Sequence, residues 1–433
     1  MATPTSSKKL SPISGFPEYL PAQQRAFDAI TARIRQAYES FGYTPLETAA
    51  VERTDILIAK GIDAKEVYGL RRLAAQQGEG DDDTTGAKEL ALRFDLTVPT
   101  ARYVAQHYAQ LVFPFRRHQI QPVWRGERPQ KGRYRQFHQC DIDYIADGAG
   151  NLPLAADAEI LACAFTALAS LNLNFTMRVN NRKLLNAILT DYGINTVAHR
   201  QQAIKIIDDL EKLSRSEILT RLGSLTPDAA ALVAALKGEQ PLRNTTTIYD
   251  GLREVNEVLE RAQELIGDLR GGQLVADYTI ARGLDYYTGT VVETTLQDAP
   301  ELGSICSGGR YENLAESLSE RALPGVGISI GLSRLATWLM SQEPWASFGA
   351  TPAEVYVAYG VPGAAQALRA AGLKVEEGLD DKPLGKQLMQ AEKRGLTHAV
   401  TARNGDMFIL RNFKTRQEAP YGADYILKLL QQR

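Results

Sequence analysis

Cysteine, long apolar runs and an excess of either charge are scarce in this 433-residue chain. The three cysteines, Cys140, Cys163 and Cys306, are scattered and form no C-x-x-C pair, so neither a disulfide framework nor a zinc site is indicated. No segment approaches the roughly 18 apolar residues of a membrane-spanning helix, and the first residues lack the apolar core of a signal peptide. With a net charge of -2, the composition predicts a cytoplasmic protein that binds neither membranes nor DNA.

Two common nucleotide-binding signatures are also missing. The pattern G-x-x-x-x-G-K-[ST] does not occur, which excludes a Walker loop. The segments GGRYENL and GVGISIG do not place G-x-G-x-x-G between a strand and a helix, so a dinucleotide-binding fold is not indicated. Gly308 and Gly309 either let the sheet backbone approach a ligand closely or form bulges and bends, and the sequence leaves both interpretations open.

Changes in amino-acid composition along the chain predict its domain organisation. Residues 1–13 read as a disordered tail, and a helix follows behind Pro21, with apolar residues at helical spacing up to Gly42. Segments rich in Leu, Ile, Lys and Glu predict a helical insertion at 179–270, after which glycine-rich strands resume the first sheet. Strands and helices alternate from 350 to 433, which is typical of a small α/β domain.

The densest group of charged residues lies in the segment FRRHQIQPVWRGERPQKGRYRQFHQCDIDY, residues 115–144. Its first part, 115–139, holds seven Lys or Arg residues against one acid, Glu127. Arginines on a strand, loop and strand can bind phosphates in a bidentate manner, while an interleaved aromatic ring stacks on a nucleobase. A basic surface loop is the alternative, but the alternation of arginines with Trp124, Tyr134 and Phe137 favours a nucleotide site.

Five segments together carry a resemblance to a known family. They are VWRGERPQKGRYRQFHQCD, ARGLDYYTGTVVE, SGGRYENL and GVGISIGLSRL, preceded by LRFDLTVPTARYVA. The first four resemble motif 2, the two histidine motifs and motif 3 of histidyl-tRNA synthetases, and they occur in the order of that family. The preceding segment is similar to the strand and helix that carry the acid for the amino acid. The chain is therefore identified as a member of the class II aminoacyl-tRNA synthetases.

The resemblance implies a fold and a division into domains. The fold class is α/β with an α+β catalytic core, in which helices flank the antiparallel sheet of class II synthetases. The core would comprise 14–178 and 271–342, interrupted by the helical insertion at 179–270. The domain at 350–433 would bind the anticodon, or alternatively would stabilise a homodimer. Its first helix is shorter than is usual in the family, and the segments GFPEYLP and LETAAVE also depart from the family pattern.

The implied activity joins histidine to its tRNA in two steps. ATP with Mg²⁺ would convert histidine to histidyl-adenylate and pyrophosphate, and the 3' end of tRNA(His) would then accept the histidine. The catalytic cations would be Arg125 and Arg282, on opposite sides of the α-phosphate, because charge on a phosphoryl group must be neutralised. Mg²⁺ would bridge the outer phosphates without a site made of side chains alone. The residues assigned to ATP are Arg125, Glu127, Arg133, Phe137 and Arg334, and those assigned to the tRNA acceptor end are Arg128 and Gln130.

The pocket for histidine needs carboxylate, carbonyl and hydroxyl groups, since an ammonium donates and a neutral imidazole both donates and accepts. A polar pocket of this kind rejects apolar amino acids without an editing domain. The family positions for the α-ammonium are occupied by Asp95, Thr97 and Gln139, those for the imidazole by Asp143 and Tyr287, and Tyr286 and Tyr311 lie nearby.

Four residues keep a structural alternative. Tyr286 is either a core aromatic or a pocket residue, and Thr97 is a helix cap, a ligand or both. Asp285 is better explained as a turn residue and His138 as a structural residue than as catalytic groups. For the whole chain, the alternatives are a non-catalytic regulatory subunit of ATP phosphoribosyltransferase, or a paralogue that adenylates histidine without charging tRNA.

Overall fold

A computed structural model gives the conformation of most of the chain. It describes residues 10–58, 66–71, 89–128, 132–148, 150, 152–210, 212–243, 245–282, 286–315 and 318–431. Most of the predicted tail, residues 1–9, lies outside the described residues. Contacts between residues divide the chain into two units. One contains Ile30–Leu335 and the segment that ends at Pro17, and the other contains Glu18–Ala29 and Ala336–Arg433.

The helices and strands are numbered in chain order. The helices are α1 (Pro21–Ser40), α2 (Thr54–Leu57), α3 (Thr97–His107), α4 (Leu154–Ala169), α5 (Arg182–Asp191), α6 (Val197–Asp208), α7 (Arg215–Gly223), α8 (Ala229–Leu236), α9 (Thr246–Ile266), α10 (Leu332–Leu339), α11 (Ala364–Ala370), α12 (Leu384–Lys393) and α13 (Ala423–Gln431). The strands are β1 (Thr44–Pro45), β2 (Val51–Arg53), β3 (Gly69–Leu70), β4 (Leu90–Leu92), β5 (Phe115–Trp124), β6 (Gln136–Ile145), β7 (Phe175–Asn181), β8 (Gly272–Ala276), β9 (Thr290–Leu296), β10 (Ser304–Tyr311), β11 (Gly325–Ile330), β12 (Val355–Val357), β13 (Val375–Glu377), β14 (His398–Asn404), β15 (Met407–Asn412) and β16 (Glu418–Gly422).

An eight-stranded sheet organises the first unit. Its strand order is β1-β5-β6-β11-β10-β9-β7-β8. The outermost pairs, β1 with β5 and β7 with β8, are parallel, and the pairs between them are antiparallel. The predicted strand, loop and strand of the basic segment are β5 and β6, which run beside each other over their full length. A separate antiparallel sheet has the order β2-β4-β3.

The helix α1 follows the predicted pattern closely. It begins at Pro21, and its apolar residues Phe27, Ile30 and Ile34 are buried. Gly42, with φ +78°, follows the helix where the pattern ended. Proline is favoured in a first helical turn, and glycine adopts positive φ without strain, so the sequence marks both ends.

Helices α5 to α9 form the segment between β7 and β8. Leucine, isoleucine and valine side chains of these helices are buried against one another and make a core of their own. Helix α7 begins with a capping box, in which Ser214 and Glu217 satisfy each other's backbone N–H groups. Helix α9 buries the stripe Ile248, Val255, Val258, Ala262 and Ile266, and it packs on α4, α5 and β7. The helices predicted from the composition of this segment are therefore present. They lie between two strands that are adjacent and parallel in the sheet.

The second unit contains a five-stranded sheet of order β13-β12-β14-β15-β16. The pairs of β12 with β13 and with β14 are parallel, and β14, β15 and β16 form antiparallel hairpins. Its core includes Val355, Val357, Leu368, Val400 and Ile426, from strands and from helices α11 and α13. Among the residues that the structure describes, no helix is long and apolar enough to span a membrane.

Candidate active site

One face of the eight-stranded sheet carries a continuous polar surface. Side chains alternate between the two faces of a strand, so residues 117, 119 and 121 of β5 share a face with residues 139, 141 and 143 of β6. The register sets Arg117 opposite Asp143 and Gln121 opposite Gln139. A transverse row of side chains crosses six strands on this face: Gln119, Asp141, Ser329, Ser307, Glu293 and Arg178.

A pocket opens on this face above β6, β10 and β11. Five of the residues assigned to histidine line it: Thr97, Asp143, Tyr286, Tyr287 and Tyr311. Three polar lining residues were not selected from the sequence: Asp141, Ser307 and Ser329. Gln139 joins the same group, because its Nε2 donates a hydrogen bond to Ser329 Oγ at 3.0 Å. The structure thus gathers residues from four distant segments around one small polar space.

Asp143 is held on both sides of its carboxylate. Tyr311 donates its phenolic hydrogen to Asp143 Oδ1 at 3.0 Å, and Arg117 Nη2 lies 2.5 Å from Asp143 Oδ2. The Arg117 side chain is fully buried. Burial raises the pKa of Asp143, while the nearby Arg117 and the Tyr311 hydrogen bond lower it. These contacts fix the orientation of the carboxylate. Its remaining lone pairs can accept hydrogen bonds from a ligand in the pocket.

The glycines of β10 and β11 make room for the pocket side chains. A Cβ at Gly327 would lie 2.1 Å from Asp143 Oδ1, and a Cβ at Gly309 would lie 2.9 Å from the Tyr287 ring. At Gly308 a Cβ would lie 2.1 Å from the carbonyl oxygen of Gly327. The register shift of β10 lies nearer its start, so the bulge interpretation of Gly308 and Gly309 is wrong. The glycines are required because protein groups, including two pocket residues, approach the strands closely.

Asp95 and Thr97, at the start of α3, have separate roles. Asp95 Oδ1 accepts a hydrogen bond from the backbone N–H of Val98 at 3.1 Å, in the first turn of the helix. The helix begins at Thr97. Thr97 lines the pocket, so the capping role proposed for Thr97 belongs to Asp95.

Tyr286 fulfils both of its sequence-based interpretations. Its ring packs at 5.2 Å from Tyr287 and 5.5 Å from Tyr311, measured between ring centres. It also lies against a buried apolar cluster that includes Val104 and Ile145. The residue is therefore a core aromatic on one side and a wall of the pocket on the other.

The motif 2 arginines lie around Glu127 at the ends of β5 and β6. Arg125 Nε donates to the carbonyl oxygen of Phe94 at 3.1 Å, and its guanidinium lies 5.0 Å from the centre of the Phe137 ring. Arg125 and Arg133 each place a nitrogen 3.9 Å from a Glu127 oxygen. Such distances between partly exposed groups correspond to weak ion pairs, so both guanidinium groups remain able to bind an anion.

Arg334 is fixed more firmly than the other arginines. Its Nε donates to the carbonyl oxygen of Gly132 at 3.1 Å, and its Nη1 donates to those of Leu302 and Ser304 at 3.2 and 3.0 Å. Burial lowers the pKa of Arg334, and the positive charges of Arg133 and Arg282 lower it further. These like charges repel one another, and a polyanion between them would relieve that repulsion.

Arg282 lies beside the Glu293 end of the transverse row. Its Nη1 is 2.8 Å from Glu293 Oε1, and its Nε is 3.6 Å from Asp208 Oδ1, at the end of α6. Glu293 is almost fully buried and also lies 3.4 Å from Arg178 Nη2. Burial raises the pKa of Glu293, while Arg282 and Arg178 lower it. Three strand spacings separate Glu293 from Asp141 along the row, or about 14 Å, so Arg282 and the pocket share one face of the sheet.

Comparison with known proteins agrees with this arrangement. The family model described as histidyl-tRNA synthetase matches residues 15–335. The histidine–tRNA ligase of Thermobifida fusca is 41% identical over 411 residues, which cover 89% of this chain and 90% of that protein. The chain belongs to the histidyl-tRNA synthetase family.

Solved structures extend the comparison to the fold. The histidyl-tRNA synthetase from Nostoc sp. PCC 7120 has 32% sequence identity and a TM-score of 0.84, covering 99% of this chain and 100% of that one. A Bacillus halodurans protein, described as an ATP phosphoribosyltransferase regulatory subunit/histidyl-tRNA synthetase, has 22% identity and a TM-score of 0.68, over 90% of this chain and 97% of its own. The latter shows a shared fold alone. The predicted family, the α/β class II fold and the assignment to the aminoacyl-tRNA synthetases are confirmed.

Several predicted residues lie away from the pocket of this histidyl-tRNA synthetase family member. Arg128 is exposed at the end of β5, whereas Gln130 and Asp285 lie outside the described residues. His138 lies on the face of β6 opposite Gln139, since the two are adjacent in the strand. Burial lowers the pKa of His138, and Arg93 lowers it further, which agrees with a structural role.

The described residues contain no group of three or more His, Cys, Asp or Glu side chains placed to hold a metal ion. Mg²⁺ in phosphoryl-transfer sites is commonly held by one or two carboxylates together with the substrate phosphates. Glu127, which is partly exposed and forms only 3.9 Å contacts with Arg125 and Arg133, is a carboxylate suited to that shared coordination. The residues present therefore fit a magnesium ion that arrives with ATP.

The residues missed from the sequence share one property. Arg117, Asp141, Ser307, Ser329 and Glu293 reach the site through pairing between strands that are far apart in the chain. The alternation in QFHQCDIDY was an available signal, because it places Gln139, Asp141 and Asp143 on one face. The isolated charge in the apolar strand TVVETTL could similarly have selected Glu293.

Proposed function

We propose that the chain activates histidine with ATP and transfers it to the 3' end of tRNA(His). The observation that carries this proposal is that the acidic and phenolic pocket and Arg282 occupy one face of a single sheet. An amino acid in the pocket would direct its carboxylate along the transverse row toward the arginines. Membership of the histidyl-tRNA synthetase family supports the same reaction.

Histidine binding would use the groups of the pocket according to their hydrogen-bonding capacity. The α-ammonium would donate to Asp95, Thr97 and Gln139. A neutral imidazole offers one donor and one acceptor, which would meet the Asp143 carboxylate and the Tyr287 hydroxyl. Because Tyr311 and Arg117 fix Asp143, an apolar side chain in this place would leave buried polar groups unpaired, and such substrates are strongly rejected.

In the first step, an oxygen of the histidine carboxylate forms a bond to the α-phosphorus of ATP, and the bond from that phosphorus to the bridging oxygen breaks. Pyrophosphate leaves with the electron pair. Arg125 and Arg282 would stabilise the added charge on the α-phosphoryl group from opposite sides. The outer phosphates would be bound by Arg133 and Arg334, adenine would stack on Phe137, and Glu127 would lie beside the nucleoside.

Magnesium would supply charge neutralisation on the β- and γ-phosphates when it enters with ATP. Glu127 would share its coordination with the phosphates. The reacting carboxylate is already ionised near neutral pH, so activation needs no strong general base, and His138 on the other face of β6 is not required.

In the second step, a hydroxyl of the 3'-terminal ribose attacks the histidyl carbonyl carbon and AMP leaves. Arg128 and Gln130 would contact the acceptor end of tRNA(His). The region 350–433 would bind the anticodon, while 14–178 and 271–342 would form the catalytic core around the insertion 179–270. A homodimer in the cytoplasm is the proposed working form.

The experiment that tests this function is histidine-dependent exchange of labelled pyrophosphate into ATP, followed by charging of a tRNA(His) transcript. The proposal predicts exchange with histidine, none with leucine or phenylalanine, and charging of the transcript. No exchange with histidine would refute the enzyme assignment and favour a regulatory subunit. Exchange without charging would refute the tRNA step and favour a paralogue that only adenylates histidine.

A further inference from the structure

Two buried acceptor atoms, on residues at the histidine pocket, have no hydrogen-bond partner among the residues that the structure describes. They are Gln139 Oε1 and Asp141 Oδ1. The residues are two apart on β6 and face the same side of the sheet. Burial of a carbonyl and a carboxylate oxygen without donors is unfavourable. Two such atoms side by side therefore indicate a ligand that brings its own donors.

Ser329 determines which way the Gln139 amide points. The Ser329 oxygen accepts a hydrogen bond from Gln139 Nε2 at 3.0 Å, and the Ser329 hydroxyl lowers the pKa of the neighbouring Asp141 carboxylate. A hydroxyl has one hydrogen, and an ionised carboxylate can only accept. Ser329 must therefore donate to Asp141 and accept from Gln139. This arrangement turns the amide NH₂ of Gln139 toward Ser329 and leaves its Oε1 without a protein donor.

The neighbouring acids are already engaged by the protein. Asp143 interacts with Tyr311 and Arg117 through its two oxygens, and Asp95 accepts from the backbone N–H of Val98. Asp141 is the buried pocket carboxylate that retains an oxygen without a donor. Arg117 lowers the pKa of Asp141, but no donor of the described residues meets this oxygen, so it is suited to accept a hydrogen bond from a cationic ligand.

A primary ammonium has the properties that these two acceptors require. It carries a positive charge, which compensates a buried carboxylate, and three N–H donors, which can satisfy two acceptors at once. At N–H···O distances of about 2.9 Å, one ammonium bridges oxygens up to about 5.5 Å apart. Side chains two residues apart on a strand can bring their ends to within this range, because their Cα atoms are about 7 Å apart.

We propose that Asp141 also binds the α-ammonium of the amino acid substrate, beside Gln139, and that Ser329 is the positioning residue that orients both. This inference rests on the proposed function and adds to it a charged binding residue that the family motifs did not indicate. Asp141 contacts the substrate directly, whereas Ser329 acts through its two hydrogen bonds.

The decisive measurement compares three ligands by titration calorimetry on the full chain. Histidine has the ammonium and the carboxylate, histidinol keeps the ammonium but lacks the carboxylate, and imidazolepropionate lacks the ammonium. Asp141→Asn should weaken histidine and histidinol about 10- to 100-fold, the loss expected for a charge-assisted hydrogen bond. Imidazolepropionate should bind Asp141→Asn at least as tightly as it binds the wild type, because this ligand has no ammonium that could contact Asp141.

An equal weakening of all three ligands would show that Asp141 only supports the pocket, and unchanged histidinol binding would also overturn the proposal. The outcome for the wider function is separate. If the wild-type chain binds histidinol but performs no histidine-dependent pyrophosphate exchange, the proposed function fails while the assignment of the ammonium site stands. Circular dichroism and thermal melting of each variant verify that it is folded.

A second variant tests the positioning role of Ser329 by a pH profile. The pKa of Asp141 is raised to about 7, chiefly by burial, and the Ser329 hydrogen bond lowers it. The ratio of the wild-type affinity for histidinol to that of Asp141→Asn should therefore rise with pH through about 7, as Asp141 becomes ionised, because titration of the ligand's own imidazole is common to both proteins and cancels. Ser329→Ala, compared with Asp141→Asn in the same way, should move the midpoint of this ratio to higher pH.

Titration of the other groups around Asp141 is common to wild type and Asp141→Asn, so it cancels in this ratio. Burial raises the pKa of Cys306 to about 12 and raises those of Tyr38 and Tyr287, so these groups stay neutral. The remaining groups that face Asp141 are Arg93, Asp95, Arg117 and Asp143. Ser307→Ala is the matched control, because it removes the next hydroxyl of the same row and should leave the midpoint in place. An unchanged midpoint in Ser329→Ala would contradict the positioning role.

Discussion

Tyr311 donates a hydrogen bond to Asp143 at 3.0 Å, and both side chains are buried on the polar face of the large sheet. The two residues are far apart in sequence, and β11 lies between their strands β10 and β6. Gly327 of β11 has no side chain, which lets the pair meet across it. The carboxylate proposed to bind the imidazole is therefore positioned by the order of the strands in the sheet.

Tyr311→Phe should raise the KM for histidine in pyrophosphate exchange by about 10-fold, the effect of one hydrogen bond to a charged group. The free energy of unfolding should fall by about 1 kcal/mol, because one hydrogen bond to a buried carboxylate is lost. The KM for ATP should change little, since Tyr311 lies in the histidine pocket. An equal rise in both KM values would indicate a general disturbance of the site and would contradict the assignment.

Gly327→Ala should impair histidine binding more severely than Tyr311→Phe. Its Cβ would lie 2.1 Å from Asp143 Oδ1, so the carboxylate must leave its position. We expect a KM for histidine at least 10-fold higher, as follows from loss of a charge-assisted contact. Gly331→Ala is the matched control, because its Cβ would meet only the Ile305 carbonyl oxygen at 3.7 Å. Similar kinetics for the two variants, measured by exchange, would refute the steric explanation.

Asp141 should make the ligand-free chain less stable as the pH rises from about 4 to about 7. Its pKa is 3.8 when unfolded and about 7 when folded, so unfolding releases a proton within this window and becomes more favourable as pH rises. One such group contributes at most about 1.4 kcal/mol per pH unit. Urea unfolding at several pH values should show this slope in the wild type.

The same measurement on Asp141→Asn isolates the contribution of this carboxylate. Titration of the other acids is common to both proteins and cancels in the difference between them. The variant should gain stability relative to wild type as the pH increases toward 7. Parallel stability profiles for the two proteins would show that Asp141 keeps an ordinary pKa in the folded chain.

The two acids beside Arg282 should differ in importance. Glu293 is almost fully buried and lies 2.8 Å from Arg282, whereas Asp208 is partly exposed and 3.6 Å away. Glu293→Gln removes the buried counter-ion of both Arg282 and Arg178, and the exchange rate should fall about 100-fold, a loss typical of breaking a buried pair. Asp208→Asn should reduce the rate less than about 3-fold, because exposed ion pairs contribute little. A reversed order in single-turnover assays would contradict this account of how Arg282 is held.

The sequence predicted those parts of the site that lie close together in the chain. The strand, loop and strand of residues 115–144 and the spacing of Gln139 and Asp143 are local patterns, and both are present in the structure. Ser329 could not be selected, because it meets Asp141 only through the pairing of β6 with β11. Strand order and register depend on the packing of the whole sheet, and local residue patterns do not contain them.

At two positions the residue types also suggest a local structure that the chain does not adopt. The sequence EAPYG does not indicate a strand, because proline and glycine ordinarily disfavour strands, yet it forms β16 at the edge of its sheet, where proline is tolerated. Thr97 is a favoured capping residue, but the carboxylate of Asp95 reaches the N–H of Val98 instead. Both cases required knowledge of the neighbouring backbone.

Pyrophosphate exchange by Arg282→Ala tests the central claim most directly. Arg243→Ala is a matched control, since Arg243 has a similar exposure and also forms ion pairs with two acids, Asp191 and Asp228. The account predicts that Arg282→Ala remains folded and binds histidine normally, while its exchange rate falls about 100- to 1,000-fold, as for loss of a group that stabilises transition-state charge. Arg243→Ala should retain the wild-type rate. A folded Arg282→Ala variant with an exchange rate near that of wild type would contradict the account.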